Sequence, residues 1–221
     1  MGERLTESAE RYLEAVYILE RTDGAIAARV AERLGVRAPS VTQALRRLQS
    51  SGWLRIAADR SLHLTEVGTR LAEQVMRRHR VIERWLVDGL GLDWARAHSE
   101  AQRMEHAVSP EIIDRLYETM GRPDTCPHGN PIPGPDGLPP YAGATTLDAV
   151  GPGSVIRVAR IAEDAEETAS ALAEFERLGL RPGARLEVRG QGDGQVRVSM
   201  GGDPRGVPVA LASKVWVDPD L

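Results

Sequence analysis

The chain has a single cysteine, Cys126, so no disulfide can form within it, and that thiol is either buried or available as a thiolate ligand. No apolar stretch approaches the roughly 18 residues that a membrane-spanning helix needs. The N-terminal run MGERLTESAERYLEAVY mixes acids with bases and lacks the apolar core of a signal peptide, so a cytoplasmic location is expected. A glycine-rich phosphate loop, a Gly-x-Ser-x-Gly elbow and a His-Glu-x-x-His pair are all missing, which argues against an enzyme. There is no internal repeat and no low-complexity tract. What is present is an ordinary globular composition, 42% hydrophobic and 27% charged over 221 residues, enough for one large domain or two or three small ones.

Net charge is −4, yet the charge is unevenly spread. Between residues 26 and 60 seven arginines (29, 33, 37, 46, 47, 55 and 60) face only Glu32 and Asp59, while acids gather in 99–118 and 163–176. A basic module on an acidic body is the footprint of a protein one end of which meets phosphate. The basic stretch also has a readable order. Thr6 caps a helix over 6–21, residues 26–35 form a second helix closed by Gly35, and Val36-Arg37 makes the turn. Residues 38–51 form a third helix, with Pro39 in its first turn, and WLRIA and SLHLT then alternate as a small hairpin around Ala58-Asp59-Arg60. This is the order of a winged helix-turn-helix. The third helix turns Ser40, Thr42, Gln43, Arg46 and Arg47 outward and Val41, Leu45 and Leu48 inward, with Arg37 at its entry and Arg60 at the wing tip.

Beyond the wing, a long helix is predicted from Thr65 to about Leu90, then helices over Asp93–Ala107 and Pro110–Met120 capped by Asp93 and Ser109. Seven prolines and five glycines between 121 and 146 read as a linker, docked at its start. From about 147 the segments VIRVARI, ARLEVRG and QVRVSM alternate as strands around a short helix near 166–178, which suggests an SH3-like β-barrel of about 70 residues. The expected organisation is mainly α with small β: a winged helix over 1–73, a helical domain with its linker over 74–146, and the SH3-like domain over 147–221.

Four of the five histidines and the cysteine fall between 79 and 128. His79 and Glu83 stand one helical turn apart. Gln102, Glu105 and His106 share a face of the following helix, with His98 one turn upstream of Gln102. Cys126-Pro-His128 adds a soft and a borderline donor on one loop. Each pair alone is more often a solvated ion pair or a buried thiol, but such donors concentrated downstream of a DNA-binding module point to metal held between helices. His63, in the wing strand, reads as a surface histidine.

Taken in order, AERLGVRAPSVTQALRRL, ADRSLHLTEVG, VMRRHRVIERWL, EAQRMEHAVSPE and HGNPIPG resemble the diphtheria-toxin-repressor family of iron- and manganese-dependent regulators over nearly the whole chain. The resemblance implies a homodimer that binds an operator in double-stranded DNA once divalent metal fills two sites per subunit. His79, Glu83 and His98 fall at ancillary-site ligands, and Cys126 with His128 matches the loop that adds to that site in manganese-responsive members. Glu105 and His106 fall at primary-site ligands, Gln102 at a position usually taken by cysteine or glutamate, and Glu14 at a ligand of the manganese members, with Glu10 a lesser candidate. The usual N-terminal primary ligand is replaced by Arg11, a cation that repels metal and is expected to weaken that site. The acidic ligands that the SH3-like domain supplies in some relatives land near Thr168 and Ala171, which cannot serve; Asp164, Glu166, Glu167 and Glu174 are the neighbouring substitutes.

On this reading Gln43 hydrogen-bonds a base edge, Pro39 and Ser40 pack on thymine methyls, and Arg37, Arg46, Arg47 and Arg60 hold phosphates. Metal would tie the first helix to the helices around 79 and 105 and so space the two recognition helices of a dimer. The donor set favours Mn2+ over Fe2+. Two alternatives stand beside it: a winged-helix regulator that needs no metal, and a metalloenzyme on a helical bundle, for which no nucleophile or general-base arrangement is present.

Overall fold

A computed structural model describes residues 5–22, 24–166 and 168–220, and Glu167 lies outside them. The chain divides into two compact units, one running to Arg78 and including Pro133–Leu138, the other comprising His79–Ile132 and the chain from Pro139 onward.

In the first unit, α1 (Glu7–Arg21) is capped by Thr6, whose hydroxyl accepts from Ala9 N at 3.2 Å, and it buries Tyr12, Leu13, Val16, Tyr17 and Leu19. Helix α2 (Ala27–Leu34) stops at Gly35, which takes the left-handed conformation (φ 62°) that glycine adopts without steric cost. Helix α3 (Ala38–Ser50) starts on its proline and buries Val41, Leu45 and Leu48, leaving the opposite face in solvent. Strands β1 (Leu54–Ile56) and β2 (Leu62–Leu64) pair antiparallel as the wing. Helix α4 (Glu66–Leu90) follows, with Thr65 as its cap: the Thr65 hydroxyl accepts from Gly68 N at 3.2 Å and donates to Gly52 O at 2.8 Å. A Cβ at Gly68 would overlap Trp53 O, so only glycine lets the wing base lie against this turn. Two contacts fasten α1 to α4: Tyr17 donates to Glu73 at 2.9 Å, and Arg78 donates to Glu10 at 2.6 Å.

In the second unit α4 continues from His79, joined by α5 (Trp94–Met104) and α6 (Pro110–Thr119), whose caps are Asp93 and Ser109. The proline-rich stretch is docked at its start, and Cys126 through Ile132 are buried. There the chain doubles back on itself, with Cys126 N donating to Asn130 O at 2.8 Å and Ile132 N to Asp124 O at 2.8 Å.

The C-terminal part holds β3 (Thr145–Thr146), β4 (Val155–Ile161), α7 (Glu163–Glu166), α8 (Ala169–Leu178), β5 (Arg185–Gly192), β6 (Gln195–Met200), β7 (Asp203–Pro208), α9 (Val209–Ala212) and β8 (Val215–Pro219). Its six strands pair antiparallel in the order β3-β8-β4-β5-β6-β7. The helix expected near 166–178 is α8, and a further short helix, α7, precedes it and places its carboxylates toward the helical part.

Helical part and sheet share one core. Trp94 of α5 is buried together with Val158, Ile161, Leu172, Phe175 and Leu186, and its backbone N donates to Glu176 at 3.2 Å. A bulge between Val158 and Arg160 bends β4. Against that bend rests the 126–130 loop: Ile161 N donates to His128 O at 2.8 Å, and a Cβ at Gly129 (φ 86°) would overlap Ala159 O and Arg160 Cα. The β-strand edge thus holds the loop that carries Cys126 and His128.

Candidate metal centre

Three histidines converge on Glu83, whose side chain has 0% exposure. Its Oε1 accepts from His98 Nδ1 at 3.0 Å and lies 3.6 Å from His79 Nε2, while Oε2 lies 3.4 Å from His128 Nδ1. Each imidazole is oriented by a further group. His79 Nδ1 bonds Glu105 Oε2 at 2.7 Å, leaving Nε2 aimed at Glu83. Gln102 donates to His98 Nε2 at 3.1 Å, which leaves the Nδ1 proton of His98 for Glu83. His128 sits against the edge of Trp94, ring centroids 4.6 Å apart, with Glu166 Oε1 3.4 Å from its Nδ1. Glu166 is itself held by Asn130, whose amide also donates to Ile161 O at 3.0 Å. Beside this group buried Arg80 pairs with Glu163, which also accepts from Tyr141 OH at 2.9 Å.

The centre is polar, buried and incompletely satisfied. Among the described residues, His79 Nε2, Glu83 Oε2 and both ring nitrogens of His128 are buried without a hydrogen-bond partner. Leaving such groups unpaired costs free energy unless something else occupies the space between them. The donors are imidazole, carboxylate and thiol, and those of His79, Glu83 and His98, like those of Glu83, Cys126 and His128, lie within 4.8 Å of one another. That chemistry and spacing fit a divalent cation.

Protonation follows from the same geometry. Burial opposes charge on His79, but the hydrogen bond to Glu105 and the nearby charges of Glu105 and Glu83 outweigh it and hold its pKa well above the usual histidine value. His128 is raised likewise, burial being overcome by the charges of Glu83 and Glu166. For Glu83 burial works against ionisation, and the neighbouring His128 nonetheless brings its pKa well below the usual carboxylate range. Burial pushes the Cys126 thiol up. Without metal, Glu83 is a carboxylate flanked by protonated His79 and His128.

The other expected residues are placed as follows. Glu105 is buried at the end of α5 with its Oε1 3.2 Å from His106 Nε2, so one carboxylate serves both His79 and His106. Gln102 is exposed and turns its amide to His98. Glu14 is half-buried on α1 in the first unit, where Arg11 is exposed and Glu10 is engaged by Arg78. Of the substitutes considered for Thr168 and Ala171, Glu166 reaches the donors, whereas Asp164 pairs with Lys214 and Glu174 with Arg177. Sequence reasoning passed over Arg80, Asn130, Trp94 and Glu163. Their signal was indirect: an acid-rich run in a β domain needs basic partners, and an arginine next to a buried histidine needs an acid.

In the first unit Pro39, Ser40, Thr42, Gln43, Arg46 and Arg47 are exposed, and an open hollow on that face is lined by Pro39, Thr42, Gln43, Arg46, Arg47, Ser50 and Ser51. Arg37 is exposed at the entry to α3. Arg60 holds a left-handed conformation (φ 68°) in the wing turn, closed by Arg60 N donating to Ala57 O at 3.0 Å. A non-glycine residue there costs about 1 kcal/mol or more, so the wing tip keeps a cation at the expense of backbone strain. His63 is partnered, by Ser61 at 2.8 Å and Glu20 at 3.2 Å.

Comparison with known proteins covers the whole of this arrangement. Residues 4–62 match the model of the iron dependent repressor N-terminal DNA binding domain, 65–134 that of the iron dependent repressor metal binding and dimerisation domain, and 145–219 that of the FeoA domain. The iron-dependent repressor IdeR of Mycobacterium tuberculosis is 38% identical over 209 residues, 90% of each chain. The diphtheria toxin repressor of Corynebacterium diphtheriae is 35% identical over 210 residues, 90% of this chain and 91% of that one. Among solved structures, a manganese-dependent transcriptional repressor in complex with manganese superposes with a TM-score of 0.86 at 32% identity, covering 96% of this chain and 99% of the other.

Because His79 and His128 are held protonated, a cation entering the centre must displace protons. Calorimetry of Mn2+ binding at pH 7 in buffers of different ionisation enthalpy is expected to report release of one proton or more per ion, with affinity rising as pH rises. Binding without proton release would show that these imidazoles are not the ligands.

Proposed function

The chain belongs to the diphtheria-toxin-repressor family of metal-dependent transcriptional repressors, and from that premise we propose a homodimeric repressor that binds its operator when loaded with Mn2+ in preference to Fe2+ and so controls metal homeostasis. The observation that carries the reading is the cluster of buried, unpartnered donors around Glu83, in a chain whose α3 presents an exposed basic face. It is a regulator and not an enzyme, like the family to which it belongs. We retain the functional division made from the sequence: 1–73 for DNA, 74–146 for metal and dimerisation, 147–221 as the SH3-like part.

Bound metal supplies a compact positive charge that neutral imidazole, carboxylate and thiolate can share. His79, Glu83 and His98, with Cys126 and His128, are the ancillary donors in this proposal, and Glu14, Gln102, Glu105 and His106 the primary ones. Helix α4 carries the wing-proximal residues of one unit and the first donors of the other, so the conformation that best suits the donors also bears on the DNA-binding residues. Any difference in metal affinity between DNA-competent and incompetent conformations then appears as coupling of the two ligands. Carboxylate and imidazole donors support Mn2+ or Fe2+, and the manganese-bound structural relative supports the former. Dimerisation is supported by Leu90 and Ile112, which stay 55% and 51% exposed on α4 and α6.

Four outcomes are expected. Anisotropy titration with DNA selected from random duplexes will show binding at least 10-fold tighter with Mn2+ than with chelator. Arg47→Ala will weaken binding to all sequences and reduce the salt slope by about one, while Gln43→Ala will cost discrimination by about 1–3 kcal/mol. Full-strength binding in chelator would favour metal-independent regulation. Calorimetry of Arg11→Met will show a severalfold gain in the weaker class of metal site, and two equally tight classes unmoved by the substitution would refute the assigned inequality. Light scattering at micromolar concentration will give a dimer with or without metal; a monomer in both states would exclude the homodimer.

A further inference from the structure

Away from the metal centre, a chain of polar side chains joins α1 to the tip of the wing. Glu20, in the last turn of α1, accepts from Leu64 N of β2 on Oε2 at 3.1 Å, and its Oε1 lies 3.2 Å from His63 Nδ1. His63 Nε2 lies 2.8 Å from Ser61 Oγ. Ser61 Oγ in turn lies 2.6 Å from Asp59 Oδ1, which also accepts from Ser61 N at 3.0 Å. Arg60 stands between Asp59 and Ser61 in its left-handed conformation, which persists only where the surroundings hold it.

Counting protons along this chain fixes the state of the ring. Asp59 is ionised, its pKa lowered first by the Ser61 hydroxyl and then by the Ser61 amide, so it only accepts. The one hydroxyl proton of Ser61 therefore goes to Asp59, and the link from Ser61 to His63 needs a proton on Nε2. At the other end the Glu20 carboxylate needs a proton on Nδ1. All the links coexist only when His63 is an imidazolium. A neutral ring drops one of them. Either Nδ1 faces Glu20 lone pair to lone pair, or Ser61 turns its proton to Nε2 and releases Asp59. The charges around the ring are mixed: Glu20 and Asp59 favour the cation, and Arg55, its partner across β1, opposes it. Glu66, which opens α4, is engaged by Arg70, and the segment ahead of α2 lies along the wing through Ala25 and Ile26, which carry no charge. The ring is 41% exposed, so solvent protons reach it without any opening of the fold.

We propose that His63 is a proton-operated strut of the wing: charged, it ties the Arg60 turn to α1; neutral, it frees that turn, so that affinity for DNA falls as pH rises through the titration of the ring. The inference rests on the repressor reading above, in which Arg60 meets phosphate, and makes His63 a positioning residue for that contact. Its sign is opposite to that of the metal centre, where rising pH favours the ion.

Two readouts separate the strut from DNA binding as such. In full-length protein without metal, nuclear magnetic resonance follows the His63 ring, identified by its loss in His63→Gln, together with the backbone amides of Arg60 and Ser61, from about pH 5.5 to about pH 8. The amides are expected to share the midpoint of the ring, a result that requires no variant to fold. In Ser61→Ala the ring should still titrate while the Arg60 amide no longer follows it. By anisotropy, with Mn2+ raised until affinity no longer responds to it, the unsubstituted protein should bind its selected duplex severalfold more weakly as pH rises, and by no more than about tenfold per pH unit for one coupled proton. Ser61→Ala and His63→Gln should lose most of that dependence. An Arg60 amide that ignores the ring, or a pH dependence of DNA affinity unchanged in Ser61→Ala, would overturn the strut and leave the repressor reading standing. No binding to DNA at any pH would overturn both.

Discussion

Everything in the second unit is organised by the burial of one carboxylate. Glu83 has no exposure, and burying its charge is tolerable only because three imidazoles surround it. Those imidazoles come from α4, α5 and the loop after α6, so the electrostatic requirement of one residue fixes the approach of three segments. The orienting groups are consequences in turn: Glu105 for His79, Gln102 for His98, Glu166 and Trp94 for His128.

The C-terminal sheet takes part in this centre. Buried Arg80 needs a counter-charge that α7 supplies as Glu163, and Asn130 is bonded to Glu166 of the same short helix. Breaking one partner out of a buried pair of this kind costs about 3–5 kcal/mol, which makes α7 an integral wall. Glu105 extends the connection in the other direction, since its two oxygens reach His79 and His106. A change at one imidazole alters what that carboxylate offers the other, a direct electrostatic route between the two sets of donors.

The elements legible in the sequence were those specified locally. Caps Thr6, Asp93 and Ser109, the stop at Gly35 and the inward positions Val41, Leu45 and Leu48 all depend on neighbours within a few residues, and they stand as read. The donor types were legible because histidine, glutamate and cysteine clustered within 50 residues. Their convergence on Glu83 was not, because it depends on how the loop after α6 folds back onto α4 and α5. The short helix α7 was equally hidden, since it is held by Arg80 and Asn130, dozens of residues upstream. Trp94 was passed over in the sequence, though it is buried in the core that helices and sheet share.

The loop that seats His128 against the bent edge of β4 also gives the centre a place in time. Chains emerge from the ribosome N-terminus first, at about 5–20 residues per second, and domains fold as they appear. The winged helix and the His79–Glu83–His98 corner are therefore exported and ready to fold while residues 155–166 are still being synthesised. Until that stretch emerges, His128 lacks both the Ile161 amide that holds its carbonyl and the Glu166 carboxylate beside its ring. The surroundings of His128 are thus complete only after residues 155–166 have been made, well after the winged helix.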